Sequence, residues 1–554
     1  MTITDATTDA MTTTDTSTSR ATSEYERERV PESALRGPSA FWGMYAGEHT
    51  AGTEFMIGPL FVAWGASAAS LIVGLLLGNL LAVLTWRYLT AVIACDERLT
   101  LYYKMERIAG RRLVAVYNLA NGLLFCFLAG AMITVSATAV GPFFPAGTIA
   151  MPTFASTMPT GIGWIVACVA VGTAMTLVAL RGYGLVALAG HYAAPWMFLV
   201  FVACACVTLG QLGTRDIWGL LTPPAGSVPK ISFLGVVCFA WFCNAAMHLG
   251  MADLSVLRFA RRPSAGWASA AGMFLGHYVA WICAALLLVY WVRNHGVDPA
   301  VGKDPGTMVD HAVGWAGLLC VIIAGWTTAN PTIYRAGLAF QGMLPGLSRS
   351  SATLLAGAIC IAAGIFPAFA MNLLSFVGLY GTILAPVGAI IVVDHFLADR
   401  VGILRDPAAS SAATFNWRVL LAWLVPVTVA LYVHLAHGVF ASYLPLPAAV
   451  ACGLLYIGLA RTYPSVPVAP IKATAVRRRA DDVPAATPAG PAVGARPRGL
   501  SYIAWAVGLL ALAGTIVPPM LFMASAMPLP TVKAVMLVAA VAWFAAAPWW
   551  MKVD

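Results

Sequence analysis

The chain is 554 residues long, 60% hydrophobic and only 10% charged. A soluble protein of this size carries far more charge on its surface, so the composition excludes a soluble globular fold. The net charge of +9 calls for no nucleic acid, because the basic residues collect between apolar stretches as they do in the loops of a membrane protein.

Taken in chain order, residues 1–30 are rich in Thr, Asp and Ser, and a charged lead-in, Tyr25–Gly37, follows. Together they predict a disordered cytoplasmic tail over 1–36. No basic region followed by an apolar run precedes the first span, so no cleavable signal is expected. About fourteen apolar stretches of membrane-crossing length then follow. They lie near 41–66, 68–93, 113–140, 161–181, 185–210, 231–251, 267–292, 313–341, 350–370, 372–397, 417–438, 442–461, 501–523 and 529–551. Stretches one and six are interrupted by Gly, Pro and ionisable residues. An odd number of crossings per half inserts the second half upside down. The expected fold is therefore an all-α polytopic membrane protein: a five-plus-five inverted-repeat transport core over 37–400, with additional C-terminal helices. Accessory helices eleven and twelve occupy 401–462. A basic, Pro- and Ala-rich cytoplasmic linker containing Arg477-Arg478-Arg479 spans 463–500. The last pair, over 501–554, could stand as an independent hairpin.

With the N-terminus placed in the cytoplasm, all but five of the 32 Lys and Arg fall on the cytoplasmic side, Arg335 and Arg349 among them. The exceptions are Arg215, Lys230, Arg293, Lys303 and Lys533. This bias predicts a multi-pass protein of the cell membrane with both ends cytoplasmic. The eleven cysteines sit almost entirely in apolar stretches without metal-binding spacing and read as packing residues.

Ionisable groups in hydrocarbon are costly and usually face a cavity or a partner. In span one these are Glu48, His49 and Glu54, set among glycines that permit local unwinding. Unwound backbone frees carbonyls for a cation and amides for a substrate. The alternative for either Glu is a hydrogen bond to another helix. A carboxylate in low dielectric also makes proton coupling credible. In span six, Trp241 and Asn244 lie nearest the centre, and an aromatic face with a nearby amide suits a flat, polar heterocycle. Asp253 reads as an ion-pair partner, with Arg258, Arg261 and Arg262 close in sequence. Span eight carries Ala324-Gly325-Trp326-Thr327-Thr328-Ala329-Asn330-Pro331. Its paired hydroxyls offer hard oxygens to a small cation such as Na⁺, although Thr also bonds back to its own helix. Asn330 joins the candidate substrate-binding residues, and the Asn-Pro pair predicts a helix irregularity there.

From Trp326-Thr327-Thr328 through Tyr334, Gly337-Leu338 and Phe340, the chain resembles the eighth helix of the nucleobase:cation symporter family, in its purine–cytosine permease branch. Gly78-Asn79-Leu80-Leu81 resembles that family's second helix, and Leu99-Thr100 to Arg107 the loop after it. Arg258-Phe259-Ala260-Arg261 resembles the end of its sixth helix. Phe376 through Pro386 to Asp394-His395-Phe396-Leu397 resembles its tenth. The resemblance covers roughly residues 35–460. It implies uptake of a nucleobase-like compound with Na⁺ or H⁺, and no other cofactor. It implies a cation held between the broken first helix and Ala324, Thr327 and Thr328, which match the family's Ala-x-x-(Ser/Thr)-Thr pattern. Trp241 would be the counterpart of a stacking aromatic on helix six. The chain departs from the family in lacking a Trp over Asn118–Thr134, where Phe125 or Phe127 could supply the aromatic wall. It departs again at Pro331, at the acidic position before Arg258-Phe259, and in the added charge of Glu48-His49.

Three functions follow. The first is symport of a nucleobase or related small heterocycle across the bilayer. The second is a carrier of a cationic heterocycle, amino acid or polyamine on the same fold, with Glu48 and Glu54 neutralising an amine. The third is a transporter-like sensor. No metal-binding or nucleophile motif with convincing spacing supports an enzyme.

Overall fold

Among the described residues, eleven helices, 18 to 33 residues long, are apolar enough to cross a membrane. Shorter apolar helices, Glu54–Ala63, Phe233–Phe242 and Arg349–Gly364, occupy the first, sixth and ninth expected spans. The structure, a computed structural model, describes residues 25, 27–181, 183–344, 346–462 and 498–551. Among the described residues there is no strand, only an isolated bridge between Arg36 and Ala260.

In the first half, α1 (Ser39–His49) and α2 (Glu54–Ala63) form a broken first span. They are followed by α3 (Ser70–Glu97), the short α4 (Leu101–Ala109), α5 (Arg111–Thr138), α6 (Ile162–Ala179) and α7 (Tyr183–Leu212). The second half opens on a sixth span broken twice, into α8 (Phe233–Phe242), α9 (Ala245–His248) and α10 (Leu254–Leu257). It continues through α11 (Pro263–His295), α12 (Pro305–Val313), α13 (Trp315–Met343), α14 (Arg349–Gly364) and α15 (Leu373–Val401).

The packing of the halves is reciprocal. The first span lies on α11, the seventh, and the sixth span lies on α3, the second. Span one also packs on α7 and span six on α15, the last helix of each half, while α5 and α13 lie against each other. Two glycines make the reciprocal contacts possible. A Cβ at Gly58 would collide with the Trp281 carbonyl, and one at Gly78 with the Val237 carbonyl. Small residues let membrane helices approach this closely. This is the five-plus-five inverted repeat. Accessory helices α16 (Trp417–His437) and α17 (Ala441–Ala460) pack on α15. The helices at the periphery turn large apolar side chains outward, including Leu435 on α16, as a lipid-facing surface requires.

Three expectations need correction. The charged lead-in is anchored rather than disordered over its last residues. Arg29 donates to the Asp96 carbonyl at 2.7 Å, Val30 N to that of Arg98 at 3.0 Å, and Arg36 N to that of Phe259 at 2.7 Å. Its backbone groups find partners at the ends of α3 and α10, which offsets the entropy of ordering it. The hairpin α18 (Arg498–Met523) and α19 (Leu529–Trp550) is not independent. The Trp543 indole N–H donates to the Tyr192 carbonyl on α7 at 2.8 Å, and Lys533 Nζ to the Asp310 carbonyl at 2.9 Å. Finally, α13 runs without a break through Pro331, because one lost hydrogen bond is tolerated where neighbouring helices enclose the backbone. Residues 1–24, residue 26 and the linker over 463–497, with its arginine cluster, lie outside the described residues.

Candidate functional site

Helix α1 stops at His49 and α2 starts at Glu54, with Gly52 pressed against Gly325 of α13. The last carbonyls of a helix have no partner within it. Those of Gly47 and Glu48 accept hydrogen bonds from α13: Thr327 Oγ1 donates to Gly47 O at 3.0 Å, and Thr328 Oγ1 to Glu48 O at 2.7 Å. Both hydroxyls also lie within 3.1 Å of the Ala324 carbonyl. Five oxygens from Gly47, Glu48, Ala324, Thr327 and Thr328 therefore meet at the negative end of α1.

The Glu48 side chain points to a different partner. It forms a bidentate ion pair with both amino groups of Arg335 of α13, one of which, Nη2, also holds Asp253 at 2.9 Å. The second oxygen of Asp253 accepts from Tyr45 Oη and Trp86 Nε1, each at 2.7 Å. One guanidinium thus joins spans one, six and eight, with Trp86 of span two attached. Arg335, expected among the cytoplasmic cations, has a side chain only 2% exposed. Asp253 takes Arg335 as its partner rather than the arginines nearest in sequence, because α9 and α10 turn it inward.

A third carboxylate, Glu54, opens α2. It accepts from the Trp281 indole N–H, and its other oxygen lies 3.5 Å from His277 Nε2. The His277 and Trp281 rings are stacked, with centroids 4.3 Å apart. His49 meets His277 edge-on at 5.1 Å and bonds the Tyr45 carbonyl through Nδ1 at 2.9 Å. His277 lies in a stretch of α11, Ala271–Ala280, wound with wider i→i+5 turns, a distortion frequent at functional sites. Trp86 opens a similar stretch in α3.

A cavity of about 40 Å³ lies between the two breaks. Its polar wall includes Glu48, His49, Thr53, Glu54, Asn244 and His277, and its apolar wall Leu128, Met132 and Val377. That volume has room for a few waters and is too small for a heterocyclic ring, so the centre is closed in this conformation. A larger vestibule of about 330 Å³ lies between the lead-in, α4, α5 and α13. Tyr102, in its wall, donates to the Arg335 carbonyl at 3.1 Å, so this vestibule adjoins the ion-paired centre.

The structure brings Glu48, His49, Glu54 and Asn244 to the cavity, with Thr328 in its wall and Ala324 and Thr327 beside it. It sets three candidates elsewhere. Trp241 stacks on Phe242 and donates to Thr85 Oγ1 at 3.1 Å. Phe125 packs edge-on against Tyr380. The Asn330 amide bridges the Met175 carbonyl at 2.9 Å and the Trp326 indole at 2.7 Å. Sequence reasoning missed Arg335, His277, Trp281 and Trp86. The only signal available was their ionisable or indole groups deep in apolar runs. Among the described residues, no group of His, Cys, Asp and Glu is arranged to hold a metal ion.

No protein-family model and no curated protein matches the chain. Solved structures do. One is Mhp1, a nucleobase-cation-symport-1 family transporter, in a closed conformation with bromovinylhydantoin bound. It superposes with a TM-score of 0.60 at 14% identity, covering 79% of this chain and 96% of that one. An inward-facing conformation of Mhp1 gives 0.60 at 14% identity, over 78% and 94%. The substrate-bound, outward-open state of a Na⁺-coupled sialic acid symporter gives 0.54 at 13% identity, over 80% and 92%. At these identities the likeness is one of fold. The chain is a multi-pass membrane protein with the fold of these transporters.

Proposed function

We propose that the chain is a secondary transporter of the nucleobase:cation symporter family, importing a nucleobase or related small heterocycle with a cation by alternating access. The observation that carries this reading is the meeting of five oxygens where α1 ends against α13. Rotating the Thr327 and Thr328 hydroxyl protons away from the three carbonyls would present all five oxygens to one Na⁺. The broken helix supplies its carbonyls and the negative end of its dipole, as in other transporters of discontinuous helices. Residues Gly47, Glu48, Ala324, Thr327 and Thr328 would hold the ion through oxygen. The solute would enter between the two breaks once the helices part, with Asn244 and Thr53 as hydrogen-bonding groups and Leu128, Met132 and Val377 as the apolar face. An amine carrier is less well supported, because Glu48 is already engaged by Arg335 rather than free to meet a solute.

The test is thermal stabilisation of the purified protein by a panel of nucleobases, hydantoins, vitamins and amines, with and without Na⁺. A ligand at a hundred times its Kd stabilises the native state by about 2.7 kcal/mol. A flat heterocycle whose effect grows with Na⁺, and loses that growth in Thr328→Ala, is the expected outcome. Stabilisation by amines alone, indifferent to Na⁺, would overturn the reading.

A further inference from the structure

Three buried carboxylates surround the centre, and they are not equivalent. Glu48 and Asp253 share Arg335, so that pair of acids and one guanidinium already carries an excess negative charge. Among the described residues, Glu54 has no cationic side chain of Lys or Arg as a partner. It meets the Trp281 indole and the imidazole of His277, and its side chain is 2% exposed.

The elements around Glu54 bring no countercharge. From α11 come His277 and Trp281, and from α1 His49 and Glu48, the latter already paired with Arg335. The break after α8 supplies Cys243 and Asn244, α13 supplies Thr328 and Thr332, and α5 and α15 present Leu128, Met132, Leu373 and Val377. An unpaired ion in such surroundings costs several kcal/mol. The N-terminus of α2 returns only about 0.3–1 kcal/mol to the anion, and up to ~2 in the best buried geometry. Desolvation therefore wins, and the anion needs a partner that the fold does not provide.

A proton is the partner that fits. Three buried nitrogens, His277 Nδ1, His49 Nε2 and Asn244 Nδ2, have no hydrogen-bond partner, and all three residues line the same cavity. We infer that Glu54 and His277 form a proton-binding site that loads and unloads through this cavity during transport, separate from the oxygen cluster at Thr327 and Thr328. The proton sits between Glu54 Oε1 and His277 Nε2. Loading occurs when water reaches the cavity from one side of the membrane. Unloading occurs when the opposite side opens and water solvates the bare carboxylate. His277, which lines the cavity and leaves Nδ1 without a partner, gives the proton its path. This assignment rests on the transport reading of the same cavity and adds H⁺ to the cations that drive it.

The experiment is infrared difference spectroscopy of the purified full-length protein, stepped between acid and alkaline pH in Na⁺-free buffer and again in Na⁺. The expected result is a buried protonated-carboxyl band, sensitive to D₂O, that disappears in Glu54→Gln and keeps its place in Thr328→Ala. In His277→Gln the band stays but its titration midpoint moves, which a merely structural histidine would not cause. Glu54→Asp serves if Glu54→Gln does not fold, and should shift the band without abolishing it. A band unchanged in both Glu54 variants, or absent from the parent at every pH, would overturn the assignment. The readout needs no solute. A carboxyl band at Glu54 in a protein that no heterocycle stabilises would sink the proposed function and leave the proton site. Stabilisation by a heterocycle without the band would do the reverse.

Discussion

Two buried cations organise charge in this molecule, and they do so differently. Lys104, on α4, lies within 2.9–3.0 Å of Glu97, Asp394 and Asp406. Around it stand Arg107 on Asp406 and Arg405 on Glu97, with His395 hydrogen-bonded to Glu97, so three acids meet three Lys and Arg side chains. Arg335 stands alone between Glu48 and Asp253. The first cluster ties α4 to the end of α15 and the loop after it. The second joins three spans at the helix breaks and stays short of positive charge. A balanced cluster clamps; an unbalanced one changes when charge arrives. That difference sets the centre between the helix breaks apart from the anchor.

The comparison is easiest to break at Arg335. Arg335→Met leaves two carboxylates buried without a countercharge, and should cost at the upper end of about 3–5 kcal/mol. Thermal unfolding in detergent would read it. Adding Glu48→Gln and Asp253→Asn to that variant should restore most of the loss, since a fully neutral set removes the desolvation penalty. No recovery in the triple variant would mean that Arg335 acts through packing rather than charge.

Lys104→Met should cost less, about 3 kcal/mol, because Arg107 and Arg405 remain. Its pH dependence supplies a sharper contrast. Burial opposes the charge on Lys104, but Asp394, Glu97 and Asp406 together outweigh it and hold its pKa above the ordinary lysine value. A raised folded-state value gives stability that is complete below the unfolded value of about 10.4 and is lost as pH rises through the folded one. Unfolding midpoints of the parent should therefore fall on the alkaline side of that value. In Lys104→Met this alkaline component should vanish, and an unchanged alkaline fall would reject the cluster as its source.

The smallest effect belongs to Arg107→Gln. Its side chain is 39% exposed, so water and salt screen the pair with Asp406 and the cost should be about 0.2–1 kcal/mol. Raising ionic strength should shrink the difference between this variant and the parent. A loss matching that of Lys104→Met would show that the cluster is less balanced than its geometry indicates.

Much of the architecture was legible in the chain. Long apolar runs gave the spans, and Gly52 beside Glu48, His49 and Glu54 marked the first break, because those residue types are costly in an unbroken membrane helix. The Ala324, Thr327 and Thr328 spacing placed three oxygens one helical turn apart. The aromatic wall was not legible. Trp241 has the right residue type at mid-span, but its rotation about α8 turns it toward Thr85, and only the packing of α8 on α3 fixes that rotation. Phe125 likewise lies elsewhere, since its face of α5 meets Tyr380.

By itself, then, the sequence determined what is local: where helices must cross, where they break, and which oxygens one turn can gather. The tertiary structure decided how the charges pair. Arg335 lies 287 positions from Glu48 and 82 from Asp253, and local sequence spacing could not link them. Counted as one more basic residue, it belonged at a membrane surface. Only the folded helices, by burying it with two carboxylates, could keep it inside, because a buried charge is tolerated where its partners are also buried.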